Sequence, residues 1–183
     1  MYFVLLALYF FIYIFMEIST NKVVSLKYKL SNHQTGEKIE ETNEENPLVF
    51  LYGVGGLIPE FEENLAGKTV GDTFDFHIIA SNAYGDHDAQ HIAMIPTNIF
   101  HNDEGKFDEE MFQVGAMIPM SDNEGNHLTG KIVEVDEENV KMDFNHPLAG
   151  TDLHFSGEIL EVREANEEEI AHGHVHGEHG HHH

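Results

Sequence analysis

The chain has no cysteine. Disulfides and thiolate ligands are excluded, so any bound metal must be held by histidine and carboxylate side chains. Basic residues are scarce. Nine Lys and Arg stand against 33 Asp and Glu, a formal net charge of −24. Such a surface repels phosphate backbones and anionic lipid, which argues against nucleic acid or a membrane surface as partner. No glycine-rich phosphate loop, Ser-His-Asp set or zinc-protease motif is present in the sequence. What is there is an ordinary globular balance, 41% apolar and 23% charged over 183 residues. That length supports one good core, or one core with a small inserted module.

A basic flank is also missing from the N-terminus. Tyr2–Met16 is unbroken apolar and aromatic sequence, and the first basic residue is Lys22. As a helix the run would span about 22 Å, short of the ~30 Å hydrocarbon core. A secretory signal needs a basic n-region and small residues at a cleavage site, and neither is found. Met16 opens Met-Glu-Ile-Ser-Thr, which reads as a natural start. The expectation is therefore a mis-assigned leader over 1–15 and a cytoplasmic protein, with an uncleaved membrane anchor as the alternative.

Val24, Leu26, Tyr28 and Leu30 recur with the period of a half-buried strand, and Asn32 to Glu37 is a turn with Gly36 at its φ > 0 position. Leu48–Tyr52 is a short strand, followed by the Gly53–Gly56 bend. Leu57, Ile58, Phe61 and Leu65 then recur at helical spacing, with Pro59 suited to a first turn and Gly67 to a stop. Glu60, Glu62, Glu63 and Asn64 are expected to face away from the core. Phe74, Phe76 and Ile78 alternate in another strand. From about residue 92 the texture changes to an acidic loop and hairpin-like strands, ending in Lys131–Val135 and Val140–Phe144. Strand periodicity returns at Leu153, Phe155, Ile159 and Val162. The simplest topology is a β-domain interrupted by an insertion and closed by a C-terminal strand. Within the insertion, Phe107, Met111, Met117 and Met120 suit either a small core or a flexible surface for apolar segments.

The last twelve residues, His172–His183, hold seven of the fifteen histidines and, of hydrophobes, Val175 alone. The stretch reads as a mobile tail beyond a charged linker, Glu164–Ala171. Neutral imidazole is a preferred donor for Ni(II), Cu(II) and Zn(II). His172, His174 and His176 alternate, so an extended chain presents them on one side, with His179 and His181 within reach. An expression tag would be an unbroken run, and His181–His183 is the one such stretch, so metal binding is the reading favoured. His33, His77, His87, His91, His101 and His127 read as solvated surface, and His146 as part of a turn before Pro147.

Several segments taken in order resemble the FKBP-type peptidyl-prolyl cis-trans isomerases, in particular their SlyD-like branch. They are Gly56-Leu-Ile-Pro-Glu-Phe-Glu62 with Leu65-Ala-Gly67, Gly71-Asp-Thr-Phe74, Asn82-Ala-Tyr-Gly85, Asn145-His-Pro-Leu-Ala-Gly150, and Val162-Arg-Glu-Ala165 leading into the histidine-rich end. The resemblance runs from Lys22 to the C-terminus. It implies an α+β, mostly β fold: an antiparallel sheet around one helix over 16–91 plus 142–165, an insert-in-flap domain at 92–141 that binds unfolded chains, and a linker with a histidine tail over 166–183. It places Phe50, Ile58, Tyr84 and Phe155 in the isomerase pocket with Glu40 at the rim. Tyr84 is expected to donate to the substrate.

Two departures accompany it. Glu60 stands where the family usually has glycine, and Glu40 where it commonly has aspartate. The implied protein is a monomeric isomerase that needs no cofactor for catalysis. It would act on unfolded or proline-containing polypeptides, bind nickel through its tail, and serve nickel-enzyme maturation proteins. A non-catalytic metal-storage and client-holding protein, its pocket disabled by Glu40, is the alternative, and a membrane-tethered isomerase a third.

Overall fold

The computed structural model describes residues 16–101, 112–121 and 124–175. They form two compact units, one running up to Gly85 and resuming at Gly150, the other spanning Asp86–Ala149. The first contains β1 (Lys22–Asn32), β2 (Lys38–Glu41), β3 (Leu48–Leu51), α1 (Pro59–Leu65) and β4 (Thr73–Ile78). The second contains β5 (Ile92–Pro96), β6 (Met117–Ser121), β7 (His127–Val135) and β8 (Asn139–Asp143). The chain then returns to the first unit with β9 (Leu153–Glu164) and α2 (Glu167–His172).

In the first unit the sheet order is β2-β1-β9-β4, and β3 also pairs with β1. All these pairings are antiparallel. β1 lies against β9 from Lys22↔Glu164 to Asn32↔Leu153, so the first strand and the last one zip together. Their inner face buries Val24, Leu26, Leu30, Leu153, Phe155, Ile159 and Val162, and α1 adds Phe61 and Leu65. β2 carries Lys-Ile-Glu-Glu, exposed throughout, with no alternation to reveal it; β1 templates it through backbone pairing.

Two expectations need correction. Glu62 does not face solvent. It is 8% exposed, because the Gly53 bend folds over α1 and its N–H donates to Glu62 Oε2 at 3.0 Å. Oε1 has no hydrogen-bond partner, and burial pushes this carboxyl above its usual range, against the Gly53 bond.

The second correction concerns the expected linker. Residues Glu167–His172 form a capped helix: the Asn166 side chain accepts from Glu169 N–H while the Glu169 carboxylate accepts from Asn166 N–H. Glu169 is fully buried, 0% exposed, and the Arg163 guanidinium grips it through two bonds of 2.9 and 2.7 Å. Val175 then packs against Val23 and Leu51. This explains why Val23 is buried although it projects from the face opposite Val24. Counting charges suggested a solvated stretch, but one of those charges is paired inside and one hydrophobe is seated.

The second unit is a four-stranded antiparallel sheet of order β5-β8-β7-β6. Its core is Phe100, Ile132, Val140 and Met142, with Ile95, Phe112, Ile118, Met120 and Phe144 packed around it. A Cβ on Gly130 would lie 2.7 Å from the Phe144 ring and 2.8 Å from the Met142 methyl, so glycine there admits both side chains. The unit extends beyond 92–141 because its flanks are stitched to each other. His87 Nε2 meets Asp143 Oδ2 at 2.8 Å, and the Asn145 side chain accepts from Asp88 N–H and donates to its carbonyl, both at 2.9 Å. Against the desolvation of burial, His87 and the Asn145 backbone and side-chain N–H groups hold Asp143 at a pKa of about 2. Met117 is exposed on β6 while Met120 is half-buried against the core. Phe107 and Met111 lie outside the described residues. No helix among the described residues is long and apolar enough to cross a membrane, and the 1–15 run lies outside them.

Candidate active site

Register builds the site. β4, β9 and β1 align Phe76, Phe155 and Leu30 in one row across the sheet, and Phe74, Gly157 and Tyr28 in the next. Directly opposite residues share a face, so all of these point at α1. Gly157 is required at its position: a Cβ would collide with the Lys27 carbonyl and the Phe74 ring. The Phe74 ring takes up the space that such a Cβ would need.

Onto this aromatic face α1 lowers Phe61, which is 4% exposed. Its ring centroid lies 4.9 Å from Phe155, 5.8 Å from Phe76, 6.3 Å from Phe74, and 6.4 Å from both Phe50 and Tyr28. Most of these contacts are edge-on or tilted, the arrangement favoured by ring quadrupoles. Phe155 also meets Tyr28 at 6.0 Å. Phe50 comes to the cluster from β3, where it pairs with Val24. Ile58 is half-buried at the N-cap of α1, and its carbonyl accepts the N–H of Phe61 at 3.0 Å.

Polar groups sit at the edge of this cluster. The Tyr28 hydroxyl faces the Glu40 carboxylate, which β2 carries opposite Leu30. Burial, then the charge and hydrogen bond of Glu40, then Tyr84 push the Tyr28 phenol well above its usual range, so it stays protonated. Tyr84 is 40% exposed. It is held on a tight turn after Ala80–Asn82, where Gly85 N–H reaches Ala80 O at 2.8 Å with φ 81°. The Asp152 carboxylate anchors that turn by accepting from Ala80 N–H at 2.9 Å. Glu60 has a place here too: its carboxylate accepts from the Asn82 side chain at 2.8 Å, tying the start of α1 to the Tyr84 turn.

The structure thus joins Phe50 and Phe155 through Phe61, joins Glu40 to Tyr84 through Tyr28, and sets Ile58 beside Phe61 at the helix start. Tyr28, Phe61 and Phe76 carry the periodicity of strand or helix core. Periodicity gave their faces correctly, but which face lines a site is decided by register between strands far apart in sequence. Among the described residues the arrangement brings together no nucleophile–base pair. It offers apolar ring surface beside phenol hydroxyls, suited to a reaction that needs desolvation and hydrogen bonding.

Among the described residues no three His, Asp or Glu side chains converge to hold a metal ion. The rings of His172 and His174 lie 5.7 Å apart and stacked. His176, His179 and His181 lie outside the described residues.

The sequence of this chain is similar to those of known isomerases. The family model of FKBP-type peptidyl-prolyl cis-trans isomerase matches residues 16–111. The chain is 39% identical over 163 residues to the FKBP-type peptidyl-prolyl cis-trans isomerase SlyD of Yersinia pestis, covering 89% of this chain and 80% of that one. It is 38% identical over 164 residues to the SlyD of Escherichia coli K12, covering 90% and 80%. The SlyD of Aeromonas hydrophila is 37% identical over 162 residues, covering 88% and 72%. The aromatic cluster on an antiparallel sheet, the single helix over it and these likenesses together place the chain in the FKBP-type peptidyl-prolyl cis-trans isomerase family.

Proposed function

We propose that the X-Pro amide is twisted against the cup of Tyr28, Phe50, Ile58, Phe61, Tyr84 and Phe155, with Glu40 fixing the orientation of Tyr28. The observation that carries this reading is the half-buried Tyr28 hydroxyl bonded to Glu40 and near Tyr84, on the rings of Phe61 and Phe155. Rotation about a peptide bond must lose amide resonance across a barrier of about 18–20 kcal/mol. No proton or electron pair has to be passed to a side chain. Apolar rings strip water from the carbonyl, which disfavours the planar, charge-separated form, and a hydroxyl donor stabilises the twisted amide. Tyr84, exposed on its anchored turn, is the donor toward substrate. The test is a titration with an X-Pro tetrapeptide followed by NMR. Perturbation centred on Tyr84, Phe155 and Ile58 is expected; perturbation confined to the second unit overturns the assignment.

Two further activities belong to this reading. The second unit captures unfolded chains. It exposes Met94, Ile99, Val114, Met117, Leu128 and Val133, and adaptable apolar side chains of this kind bind varied segments. The histidine-rich end binds nickel, with Zn(II) and Cu(II) as competitors, which fits a cytoplasmic role beside the maturation of nickel enzymes. Removing everything after Val175, so that the α2 seat is kept, should weaken Ni(II) binding in calorimetry at least tenfold while peptide isomerisation persists. Unchanged nickel affinity would remove the tail from that role.

A further inference from the structure

Three histidines that look isolated in the sequence stand together on the first unit. Ser31, His154 and His77 are aligned across β1, β9 and β4. His33 follows directly after β1, its N–H bonded to the Asp152 carbonyl at 2.8 Å. Side chains alternate along a strand, so His77 and His154 project from the face opposite Phe76 and Phe155, away from the aromatic cluster. The rings of His33 and His77 stack with centroids 4.6 Å apart, and His33 meets His154 at 6.0 Å. Carboxylates border the group. His154 Nε2 lies 3.0 Å from Asp75 Oδ1. The Asp152 carboxyl is held below its usual range by the Ala80 N–H and Gln34, and also by the proximity of His33 and His77.

We propose that His33, His77 and His154 form a binding site for a divalent transition-metal ion of the zinc, nickel and copper group, separate from the histidine-rich C-terminus. Directly opposed residues on antiparallel strands have Cβ atoms about 5 Å apart. That spacing lets the imidazoles of His77 and His154 close on one ion with bonds of about 2.1 Å. Asp75 prepares His154 for this. With Nε2–H donated to the carboxylate, Nδ1 keeps its lone pair, which is the carboxylate–histidine arrangement that orients metal ligands. His33 supplies the third nitrogen. As the rings stand, His33 and His77 lie flat on each other at 15°. Their in-plane lone pairs therefore run side by side and share no focus with His154. Both side chains are exposed, so turning the rings edge-on needs rotation about their own χ angles and no backbone movement. An all-imidazole set selects Zn(II), Ni(II) and Cu(II) over Mg(II) and Ca(II), which prefer oxygen.

The C-terminal histidines take the same ions, so the test uses the full-length chain with every histidine from His172 onward changed to Gln. Zn(II) is titrated by calorimetry at neutral pH, with circular dichroism to verify the fold. One ion should bind, with affinity falling at least tenfold in His77→Gln and in His154→Gln. His91→Gln, at an exposed position in the other unit, should leave it unchanged. Should a strand variant lose its native spectrum, His33→Asn, in the turn outside the strands, carries the same expectation. Absence of zinc binding in the tail-substituted chain, or equal affinity in the His33, His77 and His154 variants, overturns the site. Neither result bears on nickel binding by the unaltered tail, so the two readings fail separately.

Discussion

Tyr84 and Tyr28 carry the same functional group into different surroundings. Tyr28 is half-buried and faces Glu40, while Tyr84 is exposed on a turn pinned by Asp152 and Glu60. Removing the Tyr84 hydroxyl with Tyr84→Phe should slow isomerisation of a short X-Pro peptide by about tenfold, with Tyr84→Ala slower still. One lost donor of this kind costs ~2–4 kcal/mol where a full oxyanion forms, and less for a twisted amide. Urea midpoints should barely move, because the ring is exposed. Unchanged rates in both variants would take Tyr84 out of the mechanism. Glu62 offers a prediction about pH. Its carboxyl is raised above its usual 4.5 by burial, so its contribution to stability is complete below that value and is lost as pH rises through its folded pKa. Glu62→Gln keeps an acceptor for Gly53 N–H without the charge. The variant should be the more stable at pH 7, and the difference should close as pH falls toward 4.5. Parallel stability curves for the two proteins would mean that Glu62 finds a partner in solution.

Elements hold together here by different means. β1 and β9 are joined along their full length, so they form the spine of the first unit. By contrast α2 has six residues, too few to be stable alone. What holds it is one capping box, the Arg163–Glu169 pair and the Val175 seat. Arg163→Ala takes the cation away from the buried Glu169 carboxylate, a loss of about 3–5 kcal/mol for a pair of this kind. Releasing α2 into water is the chain's cheaper response. Amide exchange over 166–175 should therefore accelerate sharply in Arg163→Ala while the β1–β9 amides stay protected. Arg163→Met combined with Glu169→Leu should restore much of the protection. Equal acceleration in β9 would show that α2 and the sheet unfold as one. Periodicity found β1, β3, α1, β4 and β9, since each buries one face at a regular interval. β2 and α2 escaped it, because the first is exposed on all four residues and the second is held by a capping box, a buried ion pair and a distant hydrophobe rather than by an apolar face.

For the whole molecule, the second unit is an insertion whose entry and exit meet. Gly150 N–H donates to Gly85 O at 2.8 Å, so the first unit presents two adjacent ends when residues 86–149 are removed. Joining Gly85 to Gly150 through a short glycine linker should give a folded protein with peptide isomerisation retained, because closing a loop this short costs little entropy. Catalysis on an unfolded protein substrate should drop by an order of magnitude or more, since the exposed Met94, Met117 and Leu128 surface is gone. A deletion that does not fold would reject the two-unit description. Undiminished turnover of protein substrates would reject capture by the insertion.

The sequence by itself determined the family, the antiparallel α+β class, the interrupted order of strands, and the exclusion of thiol chemistry. These follow from local signals: alternation, a proline at a helix start, a glycine at its stop, the lack of cysteine, and short motifs in a fixed order. It also named Phe50, Ile58, Tyr84, Phe155 and Glu40 as site residues through resemblance. The tertiary structure alone decided that Tyr28 meets Glu40 near Tyr84, that Phe61 is the hub of the aromatic cluster, and that Glu62 and Glu169 are buried. It alone brought His33, His77 and His154 together. Glu62 and Glu169 are buried by a local bend and a neighbouring arginine; for the aromatic cluster and the histidines the physical reason is register. Strand register couples residues more than a hundred positions apart, and a one-residue slip would turn every side chain to the other face.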